Sequence, residues 1–476
     1  MSEPSPASEW APPPRKSFST LVTVVCSIVA VLYIGLLGRP LIEPRVSPLA
    51  ELEHPEESLE RLVTRELDLR AAMRGGPRWE WRLYRALSGD EDPLAAAGDW
   101  YAELIEQTDS PLAELHRAII LAEAGRMAQA REAIAELGAG PGPRERMAAW
   151  ATAAYVGPRP AADAGRALIA EIDDLPATWF TETLIRRIAA RTGDAEARAQ
   201  AEAAILARGR ALLLRARGLM AVSLALLAAG GLALAWMVTR RGSLRVAGAP
   251  VPPPWGFADG YALFVRGLGA PQAIALVAFI ALRRETGFGT VLGMAADLPL
   301  FWWVIHYLRR RGTSMRATFG LVPCREGWAP LLGATLALIA VALVSDTLID
   351  MVSRLLHLKT HWTDGFTEEL LWAGRRRVIL AAIDIAAWAP IVEEILFRGL
   401  LYATLRTRIG VAEAALLSAV IFTLPHGYSV AGSASVLVSG LLWAVAYERT
   451  RSLLPGLFAH AVNNLLSTLW TVGLLR

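Results

Sequence analysis

The residues best suited to chemistry lie in one apolar stretch near the C-terminus. In AAIDIAAWAPIVEEILFRGLLYATL, the side chains of Asp384, Glu393, Glu394 and Arg398 interrupt an otherwise hydrophobic helical pattern. A charge at the centre of a bilayer costs about 3 kcal/mol on insertion scales, so such residues face a bundle interior. Glu394 and Arg398 are four positions apart, share a helical face and can pair. Glu393 points about 100° away from Glu394 and has no partner on its own helix. A lone carboxylate in low dielectric can exchange a proton near neutral pH, which is what a general base does.

Two further apolar segments supply partners. SAVIFTLPHGYS places His426 four residues after Phe422, and FAHAVNNLL places His460 and Asn464 four apart on one face. The turn near Ile409–Gly410 lies about 16 residues from both Glu393 and His426. In an antiparallel hairpin that spacing puts the two side chains at similar depth. Amide hydrolysis needs a water, a base within about 3 Å of it and donors for the developing oxyanion. An Asn amide and a His ring both suit the donor role. Glu393, His426 and His460 could instead hold Zn²⁺ with an open position.

EEILFR fits an EExxxR pattern, FTLPH fits FxxxH, and HAVNN fits HxxxN, in that order. Together they resemble the CPBP family, the CAAX-processing and bacteriocin-processing intramembrane peptidases related to the Ras-converting endopeptidase. The resemblance covers about residues 255–475 and leaves 1–250 outside it. It implies that Glu393 and His426 activate water, and that His460 and Asn464 stabilise the oxyanion or complete a metal site. Glu394, Arg398 and Phe422 carry over as supporting residues. It leaves open both a zinc-dependent and a metal-free glutamate mechanism. Other intramembrane protease chemistries fit worse: there is no HExxH and no GxGD, and Ser439 is preceded by Leu437-Val438 where a Gly-x-Ser would be wanted.

These residues need a membrane-spanning scaffold, and the chain provides one. Hydrophobic residues make up 54% of its 476 positions, concentrated at the N-terminus and after about residue 217. Apolar segments long enough to cross a hydrocarbon core of about 30 Å are expected at 18–37, 218–239, 262–282, 288–308, 328–344, 378–405, 411–425, 431–447 and 453–475, about nine in all. Residues 1–16 read as a disordered tail, and 18–37 as an uncleaved anchor. Arg240, Arg241 and Arg245, then Arg309–Arg311, Arg406 and Arg408, and Arg449 and Arg451 follow alternate spans, which places the N-terminus in the cytoplasm. Arg375–Arg377 fall on the wrong side of that scheme.

Between the first two spans, residues 40–217 form an Ala/Glu/Arg-rich block. Gly89, Gly125, Gly157 and Gly193, spaced 36, 32 and 36 residues apart, each separate two helical patterns. A period near 34 resembles tetratricopeptide repeats; an Ala-rich bundle without true repeats is the competing expectation. The architecture expected is therefore all-α: a polytopic membrane core with an extramembrane helical unit that binds a protein partner. A net charge of +3 excludes a dedicated nucleic-acid binder. Cys26 and Cys324 are expected to be small buried hydrophobes, and His306, His357 and His361 packing residues. Asp297, Asp346 and Asp350 are expected as interior polar contacts or interfacial residues. The Ala/Arg bias suggests a bacterial inner membrane. The rival to a peptidase acting on membrane-associated or lipidated substrates is a non-catalytic scaffold or immunity protein that recruits partners through its helical unit.

Overall fold

The computed structural model describes residues 18–38, 49, 52–88, 92–239, 244–281, 289–358 and 361–476. The expected tail at 1–16, the block's start at 40–48, Gly89, Arg240 and Arg241 lie outside them. Every regular element among the described residues is a helix.

Residues 55–192 form a stack of short helices from Pro55–Arg74 to Trp179–Thr192, whose ends are written in local chemistry. Ser110 caps the Ala113 N–H ahead of Pro111, and Asp92 caps the Leu94 N–H ahead of Pro93. Gly125 and Gly193 end their helices at φ of 76° and 83°, the left-handed region that glycine enters without a Cβ clash. The repeat glycines 125, 157 and 193 do fall between successive helices. Their interior is one apolar cluster that includes Leu59, Tyr101, Ile119, Ile120, Phe180 and Ile188.

A single helix, Ala195–Thr239, continues from this unit for 45 residues, about 67 Å at 1.5 Å per residue. Among the described residues it is one of six helices long and apolar enough to cross a membrane. The others are Thr20–Leu37, Phe257–Ala278, Gly289–Arg310, Trp328–Leu355 and Val430–Thr450. The remaining three expected spans are helical too, at 375–405, Val411–Thr423 and Leu454–Leu475, but are interrupted, short or carry polar groups. Leu21, Val31 and Leu32 stand exposed on the first helix, as side chains facing lipid do.

Small residues let these helices approach closely. A Cβ on Gly230 would lie 2.3 Å from the Ala340 Cβ, and one on Gly269 would lie 2.3 Å from the Cys26 carbonyl oxygen. The second contact seats Thr20–Leu37 on Phe257–Ala281. There Arg266, buried among apolar helices, donates to the Ser19 carbonyl at 2.8 Å and packs over Phe18. Cys26 is buried as expected, but Cys324 is exposed, because it sits in the connection before Trp328 rather than in a span.

Candidate active site

The helix at 375–405 is not a uniform α-helix. Asp384–Trp388 and Glu394–Tyr402 are π-helical, with Ala389–Glu393 between them. The cause of the first irregularity is local. The Ala389 N–H reaches the Asp384 carbonyl, five residues back. The next bond in that register would run from residue 390 to Ile385, and Pro390 has no N–H to give. Asn464 supplies it: its Nδ2 donates to the Ile385 carbonyl at 2.9 Å.

The second π segment carries the ion pair. Arg398 Nη1 donates to Glu394 Oε1 at 2.9 Å, with both side chains buried, as the four-residue spacing predicted. The guanidinium lies 4.2 Å from the centroid of the Phe422 ring. His460 approaches the same carboxylate, its Nδ1 3.1 Å from Glu394 Oε1. An ionised carboxylate only accepts, so in this contact the ring donates from Nδ1. Nε2 then faces Glu393 Oε2 at 3.6 Å, within ion-pair reach but longer than a hydrogen bond.

His426 is placed by the way its helix stops. Val411–Thr423 tightens into a 3₁₀ turn at Leu424–His426, and Gly427 ends it in the left-handed region at φ 65°. His426 Nδ1 lies 2.9 Å from the Phe422 carbonyl, which fixes the proton there and frees Nε2. Phe422 thus sits between the two histidines, with ring centroids 4.8 Å from His426 and 6.0 Å from His460.

A cavity of about 350 Å³ opens beside these groups. Glu393 and His426 both line it, together with Asp384, Asp297, Gln272 and Tyr33. The expected convergence therefore divides. Glu393 and His426 share the cavity, His460 stands behind Glu393 against both carboxylates, and Asn464 turns to the backbone instead. Asp297, expected as an interior polar contact or interfacial residue, and Asp384, on the reactive helix but outside the EExxxR pattern, both line the cavity, and Asp297 accepts from Trp388 Nε1 at 2.9 Å. Their charge within apolar helices was the available signal. Tyr33 carried no such signal, since a tyrosine in a span is ordinary. His306 stacks on Trp302, and His361 bonds Glu103 and Thr363; neither lines the cavity. Among the described residues, no group of three or more His, Cys, Asp or Glu is arranged to hold a metal ion. The Glu393, His426 and His460 set does not fit zinc in this arrangement.

Residues 375–466 match the family model described as Type II CAAX prenyl endopeptidase Rce1-like. This segment is an Rce1-like domain. The Rce1-like domain is consistent with the CPBP resemblance and spans Glu393, Glu394, Arg398, Phe422, His426, His460 and Asn464. Membership of that domain implies a peptide hydrolase working in a membrane. No curated protein and no solved structure matches the chain. The helices that bring Tyr33 and Gln272 to the cavity lie outside the Rce1-like match.

Proposed function

We propose that the chain is an intramembrane endopeptidase that hydrolyses peptide bonds of membrane-associated or lipidated substrates with a water activated at Glu393 and His426. The carrying observation is that these two side chains line one cavity within the helical core. A water there can give a proton to Glu393 while its oxygen attacks the carbonyl carbon, and His426 Nε2, with its other nitrogen tied to Phe422, can hold that water in line. His460, oriented by Glu394, stands close enough through Nε2 to stabilise Glu393 until its proton is delivered to the leaving nitrogen. Nothing in this sequence needs a metal ion. The surroundings follow the same reading: nine spans, a bacterial inner membrane, and residues 40–217 as an extracytoplasmic helical unit that holds a protein partner.

Glu393→Gln keeps the shape of the side chain and removes the base. The purified variant should be made and folded like wild type, with hydrolysis lowered by about 10²–10⁴-fold. Cleavage at the wild-type rate would show that Glu393 is not the base.

A further inference from the structure

Asn464 is bonded to the Ile385 carbonyl and His460 is set against Glu393 and Glu394, and neither lines the cavity, so a donor on the cavity wall would be a further group. Arg398 has buried Nε and Nη2 groups without partners, but it is not on that wall. Trp388 is spent on Asp297. Three groups that can donate remain among the described lining residues: His426, Gln272 and Tyr33. His426 faces the water in the mechanism above, which leaves the two on helices outside the Rce1-like match.

The packing of the first helix selects Tyr33. Its end closes on the turn that carries His426: a Cβ on Gly427 would lie 3.3 Å from the Leu37 carbonyl, and one on Gly38 would lie 3.5 Å from Leu424 Cδ2. Residues 33 and 37 are one turn apart on a shared face, so Tyr33 faces the same turn from one level deeper. Tyr33 packs, partly buried, against the apolar cluster of the core and lines the cavity beside Phe397 and Phe422. Its hydroxyl has no hydrogen-bond partner among the described residues. A partly buried phenol can donate without adding charge to a cavity already lined by three carboxylates, Glu393, Asp384 and Asp297.

We propose that the Tyr33 hydroxyl is the oxyanion donor of this site, a catalytic residue supplied by the N-terminal helix. The proposal rests on the peptidase reading and deepens it. As the water oxygen bonds to the carbonyl carbon, its proton passes to Glu393 and the carbonyl electron pair moves onto oxygen. The Tyr33 O–H hydrogen-bonds that oxygen and keeps its own proton. On collapse the C–N bond breaks, the oxygen pair returns to re-form the carbonyl, and the proton on Glu393 goes to the leaving nitrogen. A rigid donor aimed at the oxyanion is typically worth about 10²–10³ in kcat.

The test compares wild type, Glu393→Gln, Tyr33→Phe and Gln272→Leu, each as full-length chain at equal membrane abundance. New protein termini are followed over time in the membranes of the producing cells, which needs no prior substrate identity. The expected result is that termini absent with Glu393→Gln form about 10²–10³-fold more slowly with Tyr33→Phe, and near the wild-type rate with Gln272→Leu. Thermal unfolding of purified Tyr33→Phe should match wild type, which separates lost donation from lost packing. Termini that form at the wild-type rate with Tyr33→Phe overturn the Tyr33 role and leave the peptidase reading standing. So does a loss confined to Gln272→Leu, or a Tyr33→Phe protein whose lost rate tracks a lowered unfolding temperature. If wild type and Glu393→Gln membranes carry the same termini, both the peptidase reading and the Tyr33 role fall.

Discussion

Arg398 is fully buried and its guanidinium is held by one carboxylate oxygen of Glu394 and the face of Phe422. Removing either member of such a pair strands the other charge where water cannot reach it, at about 3–5 kcal/mol. Arg398→Ala and Glu394→Gln are therefore expected to lower the folded yield and the unfolding temperature in detergent, in contrast to Glu393→Gln. Wild-type melting of both variants would show that the pair is not structural. A second buried group belongs to the stack of short helices. His116 packs flat on Phe180 at 3.8 Å and shares a hydrogen bond with the Tyr101 hydroxyl at 3.1 Å; burial pushes its pKa down to about 3. The unfolded chain takes up this proton near pH 6.5, the folded one near pH 3, so stability is full above pH 6.5 and is lost as pH falls between them. By pH 4.5 the loss from this group is about 2–3 kcal/mol. Glu60, 3.7 Å away with its own carboxyl pushed up by burial, works in the opposite direction. The comparison that isolates His116 is therefore wild type against His116→Phe in full-length protein, followed by urea unfolding from pH 7.5 to 4.5. The stability difference should shift by that amount in favour of the variant at the acid end. A constant difference would mean His116 is not neutral in the fold.

At the scale of elements, the helix at 375–405 joins what sequence could and could not disclose. The meeting of Glu393 with His426 was legible because helix rise is fixed and a hairpin returns the chain to the same depth. The Glu394–Arg398 pair was legible because four residues is one turn. The partner of Asn464 was not, because it depends on a π register that begins at Asp384 and meets Pro390 at the one place where a proline leaves a carbonyl without a bond. The proline itself suggested a kink; the amide that repairs it comes from a helix about 75 residues on. Asn464→Ala should orphan the Ile385 carbonyl and cost about 1–3 kcal/mol. Pro390→Ala restores an N–H that can reach Ile385 in the π register, so Asn464→Ala should cost much less in that background. A double-mutant cycle on unfolding free energies reads this as a coupling of about 1 kcal/mol or more. Strict additivity would mean that the two residues do not serve the same carbonyl.

At the scale of the whole molecule, two contacts among the described residues bear on the turn that carries His426. One is the first helix, whose Leu37 end closes on Leu424 and Gly427. The other is the connection at 361–373, whose place was illegible in sequence because its partners come from three distant parts of the chain. Glu368 accepts from the Glu53 and His54 N–H groups at 2.7 and 2.8 Å and from the Ser58 hydroxyl at 3.2 Å. Trp372 donates to the same hydroxyl, and Trp362 belongs to the apolar cluster of the helical unit. Four residues before Glu368, Asp364 accepts from the Ser429 N–H at 3.2 Å, three residues past His426. Hydrogen bonds to a carboxylate are worth about 1.5–3 kcal/mol each, so Glu368→Ala should release the connection from the helical unit. If the connection transmits strain, amide exchange should then speed up about tenfold or more both at residues 53–58 and at Ser429, since tenfold needs only about 1.4 kcal/mol of lost protection. Faster exchange at 53–58 with Ser429 unchanged would show that Asp364 and the first helix hold the His426 turn independently of the unit above it. Binding of a partner to that unit would then leave the His426 turn where it is.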